Sequence, residues 1–144
     1  MEINHQKYLK NKANELNNLL KKYHPSFIAI EKCKKDLLSV DTNNLPKIKQ
    51  ILLTLTGHYM SLVSITKKLQ ALKRNKENAY FYAKKIEIEN EGKKFTSAPI
   101  EREATLFVAE ERRVRNIFEG YLEACLEGIR TCRAFLNTKD EFSQ

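Results

Sequence analysis

Apolar residues recur along this chain at helical spacing. Between Tyr8 and Tyr23 the residues Leu9, Ala13, Leu16, Leu20 and Tyr23 step by 4, 3, 4 and 3, which lines them up on one stripe of an amphipathic helix. Pro25 predicts a stop at His24, because the residue before a proline is pushed out of the α region. Ser26 then predicts a cap for a second, shorter helix, with Phe27, Ile30, Leu37 and Leu38 on one face and Lys32, Lys34 and Lys35 mostly turned away. The expectation is an N-terminal helical hairpin over residues 1–40.

Asp41-Thr-Asn-Asn-Leu-Pro46 combines turn-forming side chains with a proline suited to the first turn of a new helix. Ile48, Leu52, Leu55, Tyr59, Leu62, Leu69, Leu72, Ala79, Ala83 and Ile86 then predict a long helix from about Leu45 to Ile88. It should end at Glu91-Gly92-Lys93-Lys94, where glycine can take the left-handed conformation and lysines meet the negative end of the dipole. Ser97 is placed to cap a last helix with Pro99 in its first turn. The seam of that helix is Ile100, Ala104, Phe107, Val114, Phe118, Tyr121, Cys125, Cys132 and Phe135, with Glu111 and Gly128 at weaker positions, and it reaches to about Leu136. Asn137 to Gln144 reads as a polar, flexible tail.

The fold class is therefore all-α: one domain over residues 1–144, in which a helix-turn-helix spanning 45–136 forms a long antiparallel hairpin, roughly 60 Å at 1.5 Å per residue, beside the N-terminal hairpin. Leu53, Val63, Ile65, Leu106, Val108, Ile117, Leu122, Leu126 and Ile129 broaden both apolar stripes beyond what one hairpin buries. Either the N-terminal hairpin or another subunit must cover them. Self-association into a homo-oligomer is the expectation, with Val114, Phe118, Tyr121, Cys125, Ile129, Cys132 and Phe135 as its interface.

Composition removes other classes. Four glycines and three prolines in 144 residues are too few turn formers for a many-stranded sandwich, barrel or wound sheet. Cys33, Cys125 and Cys132 are odd in number and form no Cys-x-x-Cys, against a disulfide framework or a structural zinc site. No run of about 18 apolar residues occurs, and Met-Glu-Ile-Asn-His lacks the basic-then-apolar plan of a signal peptide. The expectation is a soluble cytoplasmic protein without a membrane partner.

Charge is unevenly placed. The chain has 26 Lys and Arg against 18 Asp and Glu, a formal net charge of +8. Residues 1–46 hold 8 basic and 5 acidic side chains, residues 47–94 hold 11 and 4, and residues 95–144 hold 7 and 9. The middle third therefore carries most of the excess, at Lys67, Lys68, Lys73, Arg74, Lys76, Lys84, Lys85, Lys93 and Lys94. Tyr80, Phe81 and Tyr82 interleave with it. Cations that track phosphates and rings on which unpaired bases stack suit a single-stranded nucleic acid. The competing reading is a solvated lysine-rich face over core aromatics.

Catalytic patterns are missing. His5, His24 and His58 fall on different elements, and no Gly-x-Ser-x-Gly, His-Glu-x-x-His, Walker or dinucleotide fingerprint occurs. The glutamates of the last helix lack the Glu-x-x-His pairs of a helix-bundle metal site, since no histidine follows Ile100; they suit pairing with Arg102, Arg112, Arg113, Arg115 and Arg130. Cys125 and Cys132, seven apart among aromatics, read as buried thiols. No enzyme activity, metal or cofactor is expected.

Lys67-Lys-Leu-Gln-Ala-Leu-Lys-Arg-Asn-Lys-Glu-Asn-Ala-Tyr-Phe-Tyr82 leads through a glycine-containing charged loop to Lys94-Phe95-Thr96. Glu101-Arg102-Glu103 and Glu127-Gly-Ile-Arg-Thr-Cys-Arg-Ala-Phe135 then mark the two ends of the last helix. In this order of parts, over roughly residues 45–136, the chain resembles the phage recombination mediator family, the UvsY-like proteins. The resemblance implies a ring-like homo-oligomer that binds single-stranded DNA and helps load a recombinase onto DNA coated with single-strand-binding protein, in the bacterial host cytoplasm. Alternatively the chain is a helical scaffold or adaptor that binds a protein partner through its coiled seam.

Overall fold

The computed structural model describes the backbone of residues 2–142 and the side chains of residues 7 and 10–138. Its elements are α1 (Glu2–Ser39), α2 (Leu45–Asn90), α3 (Ser97–Phe107) and α4 (Ala109–Phe142), with no strand among the described residues. The chain is all-α and is built on a long antiparallel hairpin of α2 against α3 and α4. None of the described helices is long and apolar enough to cross a membrane.

The turn signals around residues 41–46 and 91–97 act locally. The Asn43 amide donates to Asp41 Oδ1 at 2.9 Å, and the Lys47 amide donates to Asn44 Oδ1 at 3.3 Å, capping α2 ahead of Pro46. At the far end Gly92 takes φ 72°. The Lys93 amide then reaches the Ile88 carbonyl at 3.2 Å and the Gly92 amide reaches Glu89 at 3.1 Å, the paired bonds of a Schellman cap. Thr96, rather than Ser97, is the cap residue of α3, and its side chain makes no capping bond.

Three expectations are corrected. Residues 2–39 form one helix with Pro25 inside it, not a hairpin. An internal proline costs about 3 kcal/mol, and the aromatic residues on either side of it offset that cost. Tyr23 and Phe27 each meet the Phe118 ring edge-on with centroids 5.2 Å apart, and Phe27 stacks on Tyr121 at 4.2 Å, each contact adding about 0.5–1.5 kcal/mol beyond burial. The helix predicted from Ser97 is interrupted at Val108, a fully buried residue with φ −104° and ψ 21°. The polar tail is helical as far as Phe142; its side chains from Lys139 on, like those of His5, Tyr8 and Leu9, lie outside the described residues.

α1 runs parallel to α4 and antiparallel to α2. Lys12 meets Glu111 while Phe27 meets Tyr121; Lys76 meets Glu111 while Leu55 reaches Gly128. The core of this three-helix body is Phe27, Ile30, Ile48, Leu55, Leu62, Leu69, Val114, Phe118, Cys125 and Cys132. α3 packs on the distal part of α2, Tyr80 stacking on Phe107 with centroids 4.7 Å apart. No residue of α2 beyond Leu69 is fully buried, so this α2–α3 arm has a thinner core than the body.

Candidate nucleic-acid interface

The candidate basic residues of α2 and of the turn after it fall into two groups. Lys73 is 15 % exposed with Nζ 3.7 Å from Glu77. Lys76 turns inward to Glu111. Lys84 lies 3.4 Å from Glu87, which raises its pKa, and 5.8 Å from the Tyr80 ring centroid. Lys93 pairs with Glu91 in the turn at 3.1 Å. By contrast Lys67, Lys68, Arg74 and Lys94 are exposed and make no ion pair among the described residues. Lys85 is half-buried, its ammonium 5.6 Å from the Phe95 centroid.

Helix geometry aligns part of the second group. Lys67, Arg74, Asn78 and Lys85 are at offsets of 7, 11 and 18 from the first, which at 100° per residue fall within about 20° of Lys67 around the axis and extend over ~27 Å. Lys73 and Lys76 sit about a quarter of a turn or more away from this row, towards the core. They are thereby corrected from surface cations to packing ones.

The three adjacent aromatics divide as helix phase requires. Tyr80 is taken by Phe107 and donates its hydroxyl to Glu103 Oε2 at 3.3 Å; burial pushes its pKa up. It is therefore withdrawn as a stacking surface. Phe81 lies edge-on to both Tyr82 and Phe95, with centroids 5.6 Å away in each case. Tyr82 is 60 % exposed and is the ring that faces solvent.

The seam expected to join subunits is occupied within the chain. Val114, Phe118, Cys125 and Cys132 are fully buried, Ile129 is 6 % exposed, and Tyr121 and Phe135 pack against the same core. α1, one long helix, covers this seam of α4 through Tyr23 and Phe27, whereas Leu53 and Leu106, which broaden the stripes, stay exposed. Burial raises all three thiol pKa values, Cys125 to about 11.

One polar cluster was missed. Glu111, 1 % exposed, forms an ion pair with Lys12 and lies 3.4 Å from Lys76 Nζ. Its other oxygen, Oε2, has no hydrogen-bond partner among the described residues. Lys12 also lies 4.8 Å from the Phe107 centroid. Burial, and then the neighbouring Lys76 charge, lower the Lys12 pKa to about 8. The signal was present, since Lys12 continues the Leu9, Leu16, Leu19, Tyr23 spacing and Glu111 occupies a seam position.

On the opposite flank of α4 an apolar groove of about 810 Å³ opens against α1. Leu37, Leu38, Ile117 and Tyr121 form its walls, and Gly120 and Ala124 keep it open. Among the described residues no group of three His, Cys, Asp or Glu side chains could hold a metal ion. Compared with protein-family models, curated proteins and solved structures, the chain matches none of them.

Proposed function

We propose that this chain binds single-stranded DNA as a non-enzymatic recombination mediator, one that self-associates and helps load a recombinase onto DNA coated with single-strand-binding protein. The supporting observation is the row of Lys67, Arg74 and Lys85 along one flank of α2, with the exposed ring of Tyr82 beside it. Lys68 and Lys94 widen the positive surface. Each phosphate neutralised there releases counterions, and several copies of the chain raise the effective concentration for the next stretch of strand.

Anisotropy of a labelled ~30-nucleotide single strand and of a matched duplex, titrated at several salt concentrations, tests this reading. The single strand should bind more tightly, with log affinity falling against log salt at about −0.7 per neutralised phosphate. Lys67→Glu with Arg74→Glu should weaken binding and flatten that slope while leaving helicity intact. Equal affinity for this variant and the parent chain would remove the α2 flank from the proposal.

A second reading, a helical scaffold, draws on the groove between α1 and α4, whose apolar walls and 83 % exposed Leu38 suit a partner helix. It expects no saturable nucleic-acid binding near 150 mM salt.

A further inference from the structure

The arm carries a depression of about 400 Å³ between α2 and α3, lined by Glu77, Asn78, Phe81, Tyr82, Glu101 and Thr105. We propose that it receives one base of the bound strand and favours bases that carry an exocyclic amino group. This rests on the single-strand reading above and adds a base preference to it.

The walls of the depression combine an aromatic surface with hydrogen-bonding groups. Phe81 is braced by Phe95, so Tyr82, standing edge-on to Phe81, offers an outward face for stacking to every kind of base. On the rim, Glu77 is engaged, accepting from the Thr105 hydroxyl at 3.5 Å and pairing with Lys73. Glu101 and Asn78 are exposed and make no hydrogen bond or ion pair among the described residues. A free carboxylate repels phosphate and accepts N–H, so it suits the amino group of cytosine or adenine and opposes the O4 acceptor of thymine. The Asn78 amide offers both a donor and an acceptor.

Charge around the depression fits the same division of labour. Arg74 precedes Asn78 by one turn and Lys85 follows Phe81 and Tyr82 by one turn, on the flank described above. Cations thus stand on both sides of a carboxylate-edged, ring-walled recess. Phosphates would rest on the two cations while the base between them turns inward.

Two 20-nucleotide strands, oligo-dC and oligo-dT, separate the contributions, because both pyrimidines stack while only cytosine donates from its exocyclic position. With the full chain at one fixed salt, dC should bind about 5- to 10-fold more tightly than dT, the lower end of what one good base-edge contact supplies. Glu101→Gln, whose amide can also donate, should bring the two within about twofold. Tyr82→Ala should weaken both strands by roughly tenfold without altering the salt slope, and it should leave the affinity for an abasic strand of equal length unchanged. Both side chains are exposed, and circular dichroism checks that the variants fold.

Binding that ignores base identity, Glu101 and Tyr82, yet still weakens in the Lys67→Glu, Arg74→Glu chain, overturns the recess and leaves the single-strand reading standing. Absence of binding to any strand, even at low salt, overturns both.

Discussion

The Lys76 ammonium lies 3.4 Å from Glu111 Oε1, a carboxylate that is 1 % exposed and already paired with Lys12. A half-buried residue in the middle of the most basic stretch of the sequence thus pairs with a carboxylate of the interior. Removing one partner of a buried pair leaves the other charge uncompensated, so Glu111→Ala should cost about 3–5 kcal/mol, read as a lower urea midpoint. Arg74→Glu should stay within about 0.5 kcal/mol of the parent, as an exposed substitution does. Equal midpoints for the two variants would show that the cluster contributes nothing to stability.

Lys12 should make stability depend on pH in a defined direction. Its folded pKa of about 8 lies below the ordinary 10.5, so between these values the unfolded chain carries the extra proton. Stability from this group therefore rises with pH across that window, and the full penalty applies below pH 8. The difference is on the order of 3 kcal/mol. Tyr80 and the raised thiols act in the opposite sense at alkaline pH, so the measurement is the difference between the parent and Lys12→Met. The stability of the parent chain relative to Lys12→Met should rise between pH 8 and pH 10.5. A constant difference would disprove the linkage.

Two glycines of α4 should respond with opposite sign to alanine. At Gly128 an added Cβ would come 2.5 Å from Leu55 Cδ1, a side chain 2 % exposed. Overpacking of about 1–3 kcal/mol should exceed the helix-propensity gain of about 1 kcal/mol. Gly120 faces open space, so Gly120→Ala should raise the melting temperature while Gly128→Ala lowers it. Leu55→Ala should rescue Gly128→Ala in a double-mutant cycle.

The thiols provide a probe of opening. Cys33, Cys125 and Cys132 are buried with raised pKa values, and only the thiolate reacts readily. Alkylation at pH 8 should therefore proceed at the rate of unfolding and accelerate sharply in urea. Immediate labelling of all three in the folded chain would contradict the packing of α1 on α4.

Spacing was sufficient to read α2, because its ends carry their own chemistry. Asn44 with Pro46 starts it, and Gly92 stops it within two residues of the predicted end. Pro25 misled because a local rule was overridden by Tyr23 and Phe27 packing on Phe118, residues nearly a hundred positions away. The interruption at Val108 is marked by neither proline nor glycine, so no local signal announces it. At the candidate interface, composition identified the basic segment but could not sort it. Lys67 and Arg74 separate from Lys73 and Lys76 only when helix phase is combined with knowledge of which faces α3 and α4 cover. The seam of α4 was legible as apolar, yet its partner depended on whether α1 was broken.

The absence of a fully buried α2 residue beyond Leu69 divides the molecule into regions of unequal permanence. Around Phe118 three helices share one core, whereas near Tyr82 only α2 and α3 meet, through Ile100, Ala104 and the Tyr80–Phe107 stack, and the smaller buried core makes local opening cheaper there. The end that presents the Tyr82 ring is thus the end with the smaller buried core. On the single-strand reading proposed above, part of the binding free energy would go into ordering that arm, and the affinity observed would be lower by that amount.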